Sequence, residues 1–89
     1  MPEDRGGLDQ IADDVAAALG IATHSMRNRH RMNRRVVLAR RVAVLVILRR
    51  APGARLHEVA AAAGYRNRAS VDCARVDREA VAIAERMAA

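Results

Sequence analysis

Leu8, Ile11, Ala12, Val15, Ala16 and Leu19 recur three and four residues apart, the spacing that lays apolar side chains along one face of an α-helix. Asp9, Asp13 and Asp14 fall on the outer side of that helix, in early turns where the positive end of the helix dipole favours carboxylates. Gly20 is placed to end it. The residues ahead of the repeat, Met1 to Gly7, read as a flexible lead-in, and residues 8–89 as one domain. A short second helix is expected from Thr23 or Ser25, either of which can cap it, through His24 and Met26 toward His30. From Asn33, another capping residue, to Arg50 the chain reads as one long helix whose polar positions run out after Arg41, so that its second half should be buried on most sides. Val42 to Ile47 is β-rich and taken alone could be a core strand, but the rest of the chain offers it no partner strand. Pro52 and Gly53 end this segment.

The pattern then shortens. Leu56, Val59, Ala60 and Ala63 make one small apolar helix face, Gly64 stops the helix, and Tyr65 and Arg66 carry the chain round a corner. Asn67 restarts it, with a side-chain oxygen able to accept from the N–H of Ala69 or Ser70. The result is a predicted helix-turn-helix in which Val71 is the buried residue of the second helix and Arg66, Asn67, Arg68 and Ser70 stand at that helix's exposed end, where a recognition helix meets base edges. Beyond Ala74, a seam of Ala69, Cys73, Val76, Ala80, Ile83 and Met87 recurs at heptad spacing. Its later part either closes the core over the first helix or offers a homodimer surface on the C-terminal helix.

Composition narrows the fold. Eighty-nine residues suffice for one core, and with Tyr65 the only aromatic residue that core must be built from Val, Leu, Ile, Met and Ala. Small residues of high helix propensity favour close-packed helices, so an all-α class is expected. Charge points to a partner. The formal net charge is +6, and no lysine is present. No acidic residue stands between Asp14 and Glu58, while Arg27, Arg29, Arg31, Arg34, Arg35, Arg40, Arg41, Arg49, Arg50 and Arg55 all do. Such a stretch repels itself unless an anion binds it. Double-stranded DNA is therefore the expected partner.

Other chemistries find little support. Cys73 is alone and builds neither a disulfide nor a zinc framework, and the arginines around His24 and His30 would repel a metal ion. No cofactor is expected, and no nucleophile with its base or pair of carboxylates suggests an enzyme. A chain without lysine has no P-loop. The apolar run Val42 to Leu48 is too short to cross a bilayer, and the acidic N-terminus lacks the features of a secretory signal. The expected location is the cytoplasm, on the nucleoid, without membrane insertion.

Three segments carry a family resemblance. Leu56-His57-Glu58-Val59-Ala60, then Gly64-Tyr65-Arg66-Asn67-Arg68-Ala69-Ser70-Val71 with Ala74 following, and Asn33-Arg34-Arg35-Val36-Val37-Leu38-Ala39-Arg40-Arg41-Val42-Ala43 together resemble the C-terminal DNA-binding domain (domain IV) of the bacterial replication initiator DnaA. The likeness runs from about Ile11 to Ala74. It implies a TrpR- and DnaA-type helical domain with a long basic helix and a helix-turn-helix. It also implies that the turn and second helix read a duplex in the major groove, that the basic helix holds phosphates, and that a loop arginine enters the minor groove. Carried onto this chain, the base-reading candidates are Arg66, Asn67, Arg68, Ala69, Ser70 and Cys73. The phosphate or minor-groove candidates are Arg31, Arg34, Arg35, Arg40 and Arg41.

Several of these positions depart from the family. Arg68 and Ala69 replace His-Thr, Ser70 replaces a second Thr, Cys73 replaces His, and Met32 stands where the minor-groove arginine is expected, with Arg31 beside it. Arginine at 68 favours guanine O6 and N7, and loss of threonine at 69 weakens contact with thymine, so an altered or relaxed preference is expected. The expected function is a stand-alone DNA-binding protein acting at a replication origin or regulating initiation. The alternatives are a helix-turn-helix transcriptional regulator and a small adaptor that binds a replication protein through the C-terminal seam. A basic helix lying on anionic lipid is a further rival.

Overall fold

The computed structural model describes residues 3–27 and 33–88, with side chains described from residue 7 to residue 87. Six α-helices follow one another, with no strand among the described residues: α1 (Glu3–Ala18), α2 (Thr23–Arg27), α3 (Arg34–Arg50), α4 (Leu56–Ala63), α5 (Ala69–Val76) and α6 (Arg78–Ala88). The chain is all-α, with a long basic helix and a helix-turn-helix.

The long helix α3 is the axis of the core, and each of the other helices packs against it. It opens on Asn33, whose Oδ1 accepts from the Val36 N–H at 2.9 Å, as the sequence predicts. Its β-branched half stays helical because of what surrounds it. Val42, Val44, Val46 and Ile47 are completely buried, and full burial stabilises such a side chain by about 1.5–3 kcal/mol, against a helix-propensity cost below about 0.7 kcal/mol per residue. Tertiary packing therefore overrides the local preference. Leu8, Ala12, Val15 and Ala16 bring α1 onto the same core, together with Val59, Ala60, Ala62 and Ala63 of α4.

α1 starts at Glu3, ahead of the apolar repeat that marks it in the sequence, and ends as expected at Gly20, which has a positive φ of 71°. There the Ile21 N–H reaches Ala16 C=O at 2.8 Å and the Gly20 N–H reaches Ala17 C=O at 3.2 Å, closing the helix with a left-handed glycine. The first turn of α2 closes on the carbonyl of Ala22, which accepts from Ser25 and Met26. The capping position is thus Ala22 instead of Thr23 or Ser25. The expected continuation of α2 to His30 lies outside the described residues.

The heptad seam is not one surface. Ala69 and Cys73 are exposed and Val76 is 79 % exposed, whereas Ala80 is buried and Ile83 and Met87 pack on the core. The two halves are separated by Asp77, which is extended (φ −83°, ψ 103°) and caps α6 by accepting the Ala80 N–H at 3.1 Å. α6 then closes the core over α3 and α5, not over the first helix. The apolar face of α6 is thus used inside the protomer, as the core-closing alternative expects.

Candidate nucleic-acid interface

The turn between α4 and α5 is built around Gly64, at φ 100°. The Tyr65 N–H bonds Ala60 C=O at 2.9 Å and the Gly64 N–H bonds Ala61 C=O at 3.1 Å, a glycine-closed helix end. A β-carbon at position 64 would collide with the carbonyl oxygen of Met26, so the end of α2 is wedged directly against the turn. Asn67 then restarts the helix as expected. Its Oδ1 accepts the Ala69 N–H at 2.9 Å, and its backbone carbonyl accepts the Ser70 N–H at 3.1 Å. Val71 and Ala74 are fully buried.

That register decides what α5 shows to solvent. Arg66, Asn67, Arg68, Ala69 and Cys73 are exposed and Ser70 is half-buried, so the six base-reading candidates are gathered around the opening of one helix and along its outer side. Neither Arg66 nor Arg68 forms an ion pair with a described residue. Further along α5 the outer face is apolar at Val76 and acidic at Asp72, which lies 3.7 Å from Arg75.

The basic helix departs from expectation. Arg40 is only 4 % exposed, and its Nε donates to the Met26 carbonyl at 2.6 Å. Arg41 donates from Nη1 to Asp77 Oδ2 at 2.7 Å. Arg40 is buried, where a polar group demands partners inside the fold, and the expectation that it holds phosphate is corrected; Arg41 is bound to Asp77 while keeping 34 % of its side-chain exposure. Arg35 is exposed, and its Nη2 donates to Leu19 C=O at 3.3 Å, at the end of α1. Arg34 keeps 91 % of its side-chain exposure, 3.8 Å from Glu79, an open pair of little energetic consequence. Arg31 lies outside the described residues. Of the phosphate candidates, Arg34 and Arg35 present their charge outward. Arg27, from the same basic stretch, is bound to Asp13 at 2.8 Å.

The junction around Arg41 was not legible as a site in the sequence. Asp77 lies well below the usual carboxylate range, first because Arg41 donates to it and next because the Ala80 N–H does. Arg41 is in turn held above the ordinary arginine value by Asp77. Burial pushes the Tyr65 phenol up, against the opposing pull of the nearby Arg41 and Arg40 charges. The available signal was Asp77 itself, a capping residue type just ahead of Arg78-Glu79-Ala80.

No family model matches the chain, and no curated protein or solved structure matches it. The opening of α5 carries the Arg66 and Arg68 guanidinium groups, neither in an ion pair with a described residue, and the Asn67 amide beside the first, positively polarised turn of a helix. No helix among the described residues is long and apolar enough to cross a membrane.

Proposed function

We propose that this chain is a double-stranded DNA-binding protein that works as DnaA domain IV does, on the nucleoid, at a replication origin or as a regulator of initiation. The observation that carries the proposal is the pair Arg66 and Arg68, exposed at the opening of α5 while Val71 and Ala74 anchor the helix to the core. In that arrangement the first turn of α5 enters the major groove, Arg68 takes guanine O6 and N7, and Arg34 and Arg35 remain for the backbone. Selection from a pool of random duplexes tests it. The wild type enriches one sequence class, and Arg68→Ala flattens the preference at one position of that class. Failure to retain any duplex over bulk pool ends the proposal. Mapping bound sites across the host chromosome then separates the roles, since clustering at the origin supports control of replication and clustering at promoters supports a transcriptional regulator.

Val76 favours one second reading. An exposed valine in line with Ala69 and Cys73 on α5 suits a protein partner, as in an adaptor that uses DNA weakly. An adaptor keeps its partner when Arg66 and Arg68 are both replaced by Ala, and loses it on Val76→Asp.

A further inference from the structure

One guanidinium sits at the C-terminal end of α5, near the residue from which the turn into that helix departs. Tyr65 immediately precedes the basic turn that leads into α5, and Asp77 immediately follows the helix. Arg41 donates to Asp77 Oδ2 at 2.7 Å, and the Tyr65 ring is half-buried beside it. The other carboxylate oxygen of Asp77 is committed to the Ala80 N–H at 3.1 Å, so the group cannot turn away from Arg41 without uncapping α6. Arg41 keeps 34 % of its side-chain exposure and Asp77 18 %, so the pair is partly shielded from solvent. Its neighbour Arg40 holds the Met26 carbonyl that abuts Gly64, the residue that ends α4.

We infer that Arg41 and Asp77 are positioning residues for DNA recognition: the pair fixes α5 against α3, so that the Arg66–Ser70 edge is presented at one angle. The inference rests on the DNA-binding reading of α5. It also assigns Arg41 a role opposite to that of a phosphate ligand. A phosphate ligand adds affinity for every duplex and one counterion to the salt dependence. A positioning pair affects only the site that requires the correct angle, and its acidic member is as necessary as its basic one.

The test is fluorescence anisotropy with two labelled duplexes, the site selected by the wild type and a random sequence, at several salt concentrations. Arg41→Ala should weaken the selected site about tenfold and leave both the random duplex and the salt slope unchanged. Asp77→Asn, which keeps an oxygen for the Ala80 N–H but breaks the ion pair, should weaken the selected site to a similar extent, although removal of a negative charge alone would tighten binding to DNA. The double variant should be no weaker than either single one. A salt slope lowered by about one in Arg41→Ala would make it a phosphate ligand and overturn the inference, as would tighter binding of Asp77→Asn to both duplexes. Amide hydrogen exchange on the free full-length proteins reads the pair without DNA. Asp77→Asn should speed exchange across 70–76 and leave α1 protected, and unchanged protection in α5 would overturn the inference even if Arg41→Ala fails to fold. If the wild type selects no duplex, the DNA-binding proposal fails and the exchange result alone decides whether the pair positions α5.

Discussion

Three arginines of one chain meet three different fates, and the difference lies in what surrounds each guanidinium. Arg40 is buried against a carbonyl, Arg41 is held by a carboxylate, and Arg68 stands exposed beside a helix start. A count of charges treats them alike, so the clustering of arginines was legible while their division into internal and external groups was not. That division depends on Met26 and Asp77, which are distant in sequence from the arginines they hold. Gly64 was legible, because a glycine at the end of an apolar helical pattern announces a left-handed turn. Gly64→Ala should lose more than about 2 kcal/mol, since the left-handed conformation alone costs about 1–2 kcal/mol and the new β-carbon would also meet the Met26 carbonyl. Gly53→Ala is the control: no atom lies within 4 Å of an added β-carbon there, and urea unfolding should place it within about 0.5 kcal/mol of wild type. Asp77 makes a prediction of opposite pH sense to a histidine switch. Because its carboxyl is lowered in the folded state, its contribution is complete above the ordinary carboxylate range and disappears as pH falls through that range and below it. The stability gap between wild type and Asp77→Asn should thus be constant above about pH 5 and close in stronger acid, and denaturant titrations at a series of pH values would show it. A gap that widens in acid would contradict the Arg41 contact.

At the scale of elements, the periodicity of apolar residues located the helices that the core needs and misjudged where some of them stop. α1, α3, α4 and the start of α5 follow their patterns closely, since each has an uninterrupted apolar face and a capping residue or glycine at one end. The C-terminal seam failed for a definite reason. Heptad spacing carried straight through Asp77 makes one face, whereas the extended backbone at Asp77 rotates α6 so that Ala80 and Ala84 turn inward and Val76 turns out. The register of α5 is the element-scale claim on which the interface depends. Val71→Asp would place a carboxylate at a fully buried position without a partner, at a cost of several kcal/mol, comparable with the whole stability of a small domain. Circular dichroism should show it largely unfolded at room temperature, while Cys73→Asp, two residues along on the exposed side, should retain the wild-type helical signal. Equal stability of the two would mean that α5 is rotated about its axis from the register described.

For the molecule as a whole, positive charge outside the core is what the account makes functional. The net charge of +6 remains, but part of the arginine set is paired within the fold, through Asp13 and Asp77. Among the exposed arginines without an ion pair to a described residue, Arg66 and Arg68 stand beside the first N–H groups of α5. The most direct measurement is therefore the salt dependence of duplex binding by the wild type beside an Arg66→Ala/Arg68→Ala variant, both verified as folded. If the turn of the helix-turn-helix is the DNA-binding edge, the wild type binds the selected duplex with log K falling linearly in log salt, and the double variant loses at least tenfold in affinity for it, while the salt slope falls by no more than about one, since Arg68 is assigned to a guanine and Arg34 and Arg35 to the backbone. Binding by the double variant as tight and as salt-sensitive as that of the wild type would contradict the account.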